Sequence, residues 1–376
     1  MGPATLTGEQ MAACLDLGSR SAAEVAEVLN RERLLRYPQR LAADQLVRRM
    51  AADLTVAGLV NPAADHLLGG PADLEPLRLA ARAAAHLAAL ERDFADADGP
   101  VLVEQAYPRQ YTPVRELLSR AGLAAATGGL EIGDALGRLE HTAERVLGAV
   151  DDRFAALAEA GFPGCLAVWD IGREVIEPLL ALHGRVAVLL VDAMRANLAD
   201  RVLAAVPRRL TSLRWAVVPA PTRTAESVSA MCLGRPVPGG AATPGWARLG
   251  GGGTVPFAHL GYESEMLLGA DTDREADRLR KLWSAGPPLA VAVATGVDER
   301  LHHSSVELAA LIDESVTAIG RRVLPSISAV PPGVPLVVLA DHGFAANPHW
   351  GHGPNGRYRH GGTSPEECVV PVAVFA

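Results

Sequence analysis

Lysine is almost missing from this chain: Lys281 is the only one, and the other cationic side chains are arginines. No Gly-Lys-Ser/Thr sequence is present, which excludes a P-loop NTPase. A Schiff-base enzyme would have to use Lys281, which sits in a charged Arg-Lys segment that reads as solvated. Aromatic residues make up 4% against 49% hydrophobic, so Ala, Leu and Val must fill the core. The four cysteines, Cys14, Cys165, Cys232 and Cys368, are far apart and form no CxxC pair, so they read as free thiols in a reducing compartment. No run of 18 or more apolar residues suggests a membrane span, and no signal peptide is evident. The expectation is a cytoplasmic protein without a membrane partner. A net charge of −8 without a basic cluster gives no nucleic-acid footprint of the electrostatic kind.

What is present divides the 376 residues in two. Residues 1 to about 164 read as helical. Apolar residues recur at helical spacing in Ala22–Leu34, Leu41–Val60, Leu77–Phe94 and Leu136–Leu157, and no catalytic cluster appears. This half reads as an interaction or regulatory domain, 1–164. Gly161 to Gly164 marks a boundary, and Cys165–His183 reads as one more helix.

From Arg185 the pattern changes. Short Val/Leu/Ala runs at Val186–Val191, Arg214–Ala220, Leu289–Thr295, Leu336–Ala340 and Val369–Phe375 carry the continuous apolarity of strands buried on both faces. Helical stretches separate them: Ala196–Val206, Ala225–Leu233, Arg274–Trp283 and Val306–Val323. This alternation predicts an α/β fold with a mostly parallel sheet flanked by helices over 165–376, preceded by the all-α domain. The stretch from Gly234 to Gly261 reads as an insertion or lid.

In such sheets ligands bind at the carboxyl ends of the strands. There the sequence places Asp192, the turn Pro221-Thr222-Arg223-Thr224, Asp298 with His302 and His303, and Asp341-His342, while His360 precedes the last strand. An Asp at a strand end is commonly a cap and a Thr before a helix an N-cap; the coincidence across five segments carries the functional reading. Carboxylates and imidazoles suit zinc or manganese. Two such ions can clamp the attacking and leaving oxygens at phosphorus. Gly351–Gly356 spells GxGxxG, but it stands ten residues past its strand and contains Pro354, so dinucleotide binding is not expected. A C/S-x-P-x-R sulfatase setting is absent.

The second half resembles a PglZ domain, a branch of the alkaline phosphatase superfamily. The residues that carry the resemblance are Leu189-Leu190-Val191-Asp192-Ala193-Met194-Arg195, Ala340-Asp341-His342-Gly343-Phe344, and Arg357-Tyr358-Arg359-His360-Gly361-Gly362 running on to Val369-Val370-Pro371. The Pro-Thr-Arg-Thr turn and the Asp298/His302 spacing are similar to the nucleotide pyrophosphatase/phosphodiesterase branch. The resemblance implies a two-metal site: Asp192, Thr224, Asp341 and His342 on one ion; Asp298, His302 and His360 on the other; Thr224 as nucleophile. His303 in place of His302, and Thr222 or Ser227 in place of Thr224, stay open. Arg195, Arg357 and Arg359 are candidate phosphate contacts. The implied function is a phosphodiesterase acting on nucleotides or nucleic acid with two divalent ions, zinc or manganese, in a phage-defence or signalling system. A protein partner would dock through the helical half. The rival reading is a non-catalytic PglZ-fold scaffold subunit.

Overall fold

A computed structural model describes residues 44, 46–56, 75–94, 97–128, 132–218, 222–237, 255–346 and 357–376. The expected helix Ala22–Leu34, part of Leu41–Val60, most of the insertion Gly234–Gly261 and the GxGxxG stretch lie outside them.

By internal contacts the chain forms two compact units. Within the described residues, one takes those up to Ala97 together with Pro108–Asp152, and the other takes Asp98–Tyr107 and Arg153 onward. The first is helical. Helix α1 (Glu75–Asp93) packs on α2 (Thr112–Gly128), and α3 (Gly133–Glu159) follows. A π-helical stretch, Leu102–Tyr111, leads into α2 and carries Pro108. In α1 the small residues Ala80, Ala81, Ala83 and Ala84 are buried with Leu77 and Leu87, so close helix contact takes the place of large side chains.

The second unit is built on a seven-stranded sheet in the order β1-β3-β9-β6-β2-β5-β4. Its strands are β1 (Leu166–Ala167), β2 (Val186–Val191), β3 (Leu210–Val217), β4 (Ser264–Leu268), β5 (Leu289–Ala294), β6 (Leu336–Leu339) and β9 (Val369–Phe375). All pairs are parallel except those of β9, which runs against both β3 and β6. Every residue of β2, β5 and β6 is buried. Both faces of these central strands are therefore covered, which is why they read as unbroken apolar runs.

The helices of this unit are α4 (Glu177–His183), α5 (Ala196–Ala205), α6 (Thr224–Leu233), α7 (Ala276–Ala285), α8 (Gly296–Leu301), α9 (Leu308–Arg322) and the short α10 (Pro365–Cys368). A two-residue hairpin, β7 (Ala345–Ala346) with β8 (Tyr358–Arg359), lies between β6 and α10. The expected helix Cys165–His183 is corrected. Its first residues form β1, which pairs with the end of β3, and helical backbone starts only at Gly172. A two-residue edge strand leaves no periodicity to read. Strand β4 is also absent from the sequence reading, because its pattern Ser-Glu-Met-Leu-Leu is too short and too polar.

Candidate metal centre

The parallel strands deliver their carboxyl ends to one edge, and β9 begins at that edge because it runs the opposite way: Val369 pairs with Val217, the last residue of β3. Residues after β2, β3, β5 and β6 and residues before β9 therefore meet. Asp192 directly follows β2, Thr224 opens α6 after β3, and Asp298 lies in α8 after β5. Asp341 and His342 follow β6, and His360 closes the segment after β8.

Two overlapping groups of ligand atoms result. In each of the sets Asp192/Asp341/His342 and Asp298/His342/His360, one ligand atom per residue lies within 4.8 Å of the others. His342 Nε2 is 3.4 Å from Asp192 Oδ1, 3.5 Å from Asp341 Oδ2 and 3.0 Å from Thr224 Oγ1. His360 Nε2 is 3.3 Å from Asp298 Oδ1 and 3.2 Å from His302 Nε2. His302 Nε2 is 3.4 Å from Asp298 Oδ2. The His342 and His360 rings stack at 4.3 Å between centroids.

Backbone carbonyls fix both central imidazoles. His342 Nδ1 donates to the Gly343 carbonyl at 2.8 Å, and His360 Nδ1 donates to the Thr222 carbonyl at 3.1 Å. A carbonyl only accepts, so the proton of each neutral ring is on Nδ1 and the lone pair is on Nε2. In that neutral form each Nε2 lone pair faces carboxylate oxygens, and a proton or a metal cation between them satisfies both. Asp341 Oδ2 is buried and accepts no hydrogen bond from the described residues. Two carboxylates and an imidazole whose Nδ1–H is anchored on a backbone carbonyl are a donor set that can hold a divalent ion. The residues present fit a divalent ion.

The electrostatics agree with a charged, partly dry cluster. Burial pushes the Asp341 carboxyl up, and the nearby His342 and the Ala193 amide offset this only in part. For Asp298, burial acts upward, but the hydrogen bond and charge of His360, with His342 and His302, outweigh it and hold the carboxyl below its usual range. For His360, burial acts downward and is outweighed by Asp298, so its pKa is raised.

Local backbone serves the geometry. Ala193 adopts φ 63°, the left-handed region that non-glycine residues rarely enter, and there its N–H donates to Asp341 Oδ1 at 3.2 Å. Gly343 follows His342 against the Glu366 carbonyl, which a Cβ would approach within 2.1 Å, so only glycine allows this close approach. The Ser364/Glu367 capping box starts α10, and Glu367 Oε1 also accepts from Gly362 N at 2.8 Å.

The alternatives left open by the sequence stand in different surroundings. Thr222 Oγ1 donates to the Gly362 carbonyl at 3.1 Å and accepts from Gly361 N at 3.0 Å, so its hydroxyl is committed to the loop. Ser227 is fully buried inside α6. Thr224 Oγ1 is the hydroxyl that meets His342. The His303 side chain lines a different space, a cavity of about 550 Å³ bounded also by Asp271, Arg300, Ser304 and Arg322, while the ring at the cluster is that of His302.

The expected arginine contacts fare differently. Arg195 is 1% exposed, and its guanidinium binds Glu366 Oε1 at 2.8 Å and the Phe344 carbonyl at 3.3 Å. This is a correction: Arg195 ties the loop after β6 to α10 and is not presented to a phosphate. Arg357 is held by Glu307 at 2.7 Å, and Arg359 is exposed. Arg223, quoted in the turn but given no role from sequence, sits between Thr224 and Gly361: a Cβ on Gly361 would lie 3.7 Å from Arg223 Nε. Its place directly before the candidate nucleophile was the only sequence signal.

No family model and no curated protein matches the chain. Among solved structures, murine ectonucleotide pyrophosphatase/phosphodiesterase 5 matches over 50% of this chain and 87% of its own, with 11% identity and a TM-score of 0.34. An inactive form of that mouse enzyme in complex with AMP matches over the same shares with 11% identity and a TM-score of 0.33. A likeness at this TM-score carries no weight for activity, and the functional reading rests on the geometry of the centre.

Proposed function

We propose that the chain is a metal-dependent phosphohydrolase of the PglZ type, a phosphodiesterase acting on nucleotides or nucleic acid through Thr224. The observation that carries this reading is the pair of imidazoles, each anchored through Nδ1 to a backbone carbonyl, whose Nε2 lone pairs face carboxylate oxygens beside a threonine hydroxyl. Asp192, Asp341, His342 and the Thr224 oxygen would hold one ion, and Asp298, His302 and His360 the other. When bound, two divalent ions would offset the charge of the phosphoryl group and lower the pKa of an oxygen nucleophile.

The chain's own residues set up the rest. Thr224 is the first residue of the ten-residue helix α6, and no side chain caps that end. First-turn N–H groups have no intrahelical acceptor and favour an anion, so a phosphoryl group can approach the hydroxyl along the helix axis. Attack by the Thr224 oxygen, whose hydroxyl proton is given up to solvent, forms an O–P bond and breaks the bond to one ester oxygen, which takes up a proton and leaves as an alcohol. Water then breaks the Thr224–phosphorus bond and releases a phosphomonoester and the free hydroxyl. A place in a phage-defence or signalling system, and a protein partner on the helical half, belong to the same proposal.

The test is hydrolysis of bis-p-nitrophenyl phosphate with added Zn²⁺ or Mn²⁺. Thr224→Ala is expected to lower kcat by a factor on the order of 1,000 or more, since it removes the nucleophile, while Asp192, Asp341 and His342 still hold that ion. Asp341→Ala is expected to lose both activity and metal. Unchanged activity in both variants would sink the mechanism, and less than one metal per chain after supplementation would favour a scaffold.

A further inference from the structure

We propose that Arg223 is the residue that holds a non-bridging oxygen of the phosphoryl group attacked by Thr224; this rests on the phosphohydrolase reading above. The centre is rich in carboxylates: Asp192, Asp298 and Asp341 converge there. A phosphate ester brought to that edge adds further negative charge, and an arginine fork is the side chain best matched to phosphoryl oxygens. Of the arginines expected at the phosphate, Arg195 is committed to Glu366 and Arg357 to Glu307, while Arg359 is exposed in β8.

Arg223 is placed and disposed differently. It is the residue immediately before Thr224, with extended backbone at the N-cap of α6, and its own side chain does not cap the helix. Its side chain is 63% exposed, and Glu226 Oε1 approaches it only to 3.8 Å, too far for a hydrogen bond. It runs beside Gly361, directly after His360: a Cβ there would sit 3.7 Å from both Cγ and Nε of Arg223. Gly361 has φ 99°, so the loop that carries His360 passes the arginine stem with no side chain in between. The guanidinium is thus tethered one residue from the nucleophile on one side and passes next to the His360 loop on the other.

The experiment compares wild type with Arg223→Met, Arg223→Lys and Glu226→Gln. Hydrolysis of bis-p-nitrophenyl phosphate is measured with bound metal, and the rise in Tm caused by orthovanadate or inorganic phosphate is measured alongside. Arg223→Met is expected to lower kcat/KM by a factor on the order of 100, as loss of one oxyanion donor does. It is also expected to lose the vanadate and phosphate shifts while keeping wild-type metal content. Arg223→Lys should recover part of both losses, and Glu226→Gln should lose neither. If Arg223→Met keeps vanadate and phosphate shifts and kcat/KM within twofold of wild type, the assignment is wrong. It is equally wrong if neither anion raises the Tm of wild type. A wild type that does not cleave the diester but shows Arg223-dependent anion shifts would overturn the phosphodiesterase reading and leave the anion contact standing.

Discussion

Thr222 and Thr224 stand two residues apart in one turn, and their hydroxyls have opposite fates. Thr222 spends both its donor and its acceptor on Gly362 and Gly361, which ties the His360 loop to the turn. Thr224 faces His342. Residue type could not separate them, because the difference lies in what the neighbouring loop offers each oxygen. The same holds for His302 and His303, whose side chains leave α8 toward different spaces. A residue outside the centre gives a pH test. His86 Nδ1 lies 2.7 Å from Gln110 Oε1, and burial lowers its pKa below 6.5 against the partial help of that hydrogen bond. The unfolded chain, with an ordinary histidine, then binds the proton more readily than the folded one, so this group removes stability as pH falls from about 6.5 toward the lowered folded value and removes none above it. His86→Gln is expected to flatten the loss of urea stability between pH 7 and pH 5. A slope equal to wild type would show that His86 does not titrate in this way.

Elements position these residues through contacts that pattern alone does not announce. The turn after β2 and helix α10 are joined by the buried pair Arg195–Glu366, 1% and 4% exposed, with Arg195 also 5.2 Å from the Phe344 ring centroid in the loop after β6. Removing one partner strands a charge in the core. Glu366→Ala should destabilise the protein by about 3–5 kcal/mol, whereas Arg195→Met with Glu366→Leu should cost distinctly less, because no charge is then left unpaired. Urea unfolding of the single and double variants reads this directly, and equal losses would reject a buried ion pair. The family resemblance made Arg195, in the Asp192-Ala193-Met194-Arg195 motif, a candidate phosphate contact. Burial by α10, which lies 170 residues further on, is what reassigns it.

At the scale of the molecule, the described residues hold a helical unit and an α/β unit, each with its own packing. No helix among the described residues is long and apolar enough to cross a membrane. If the carboxylate–imidazole cluster takes divalent ions only when folded, binding adds RT ln(1 + [L]/Kd), about 2.7 kcal/mol at a hundredfold excess over Kd. Metal-stripped protein is therefore expected to gain Tm on addition of Zn²⁺ or Mn²⁺ and to lose it again with chelator. His342→Ala combined with His360→Ala should abolish the gain, since each proposed ion then loses an imidazole. A gain that survives in this double variant would place the ions elsewhere.

The central strands β2, β5, β6 and β9 were legible because continuous burial writes itself as continuous Val, Leu and Ala, and with them came the α/β class and the residues at each strand's end. The short strands β1 and β4 were not, since two to five residues at an edge carry too little apolar pattern. The sequence by itself determined which residue types stand where strands stop. Only the tertiary structure decided that β9 runs antiparallel, and this brings His360, which precedes its strand, to the edge that the other ligands reach by following theirs. Strand direction is set by pairing between distant segments, and hydroxyl, imidazole and guanidinium roles by the groups those pairings bring within hydrogen-bond reach. Neither is written in local periodicity.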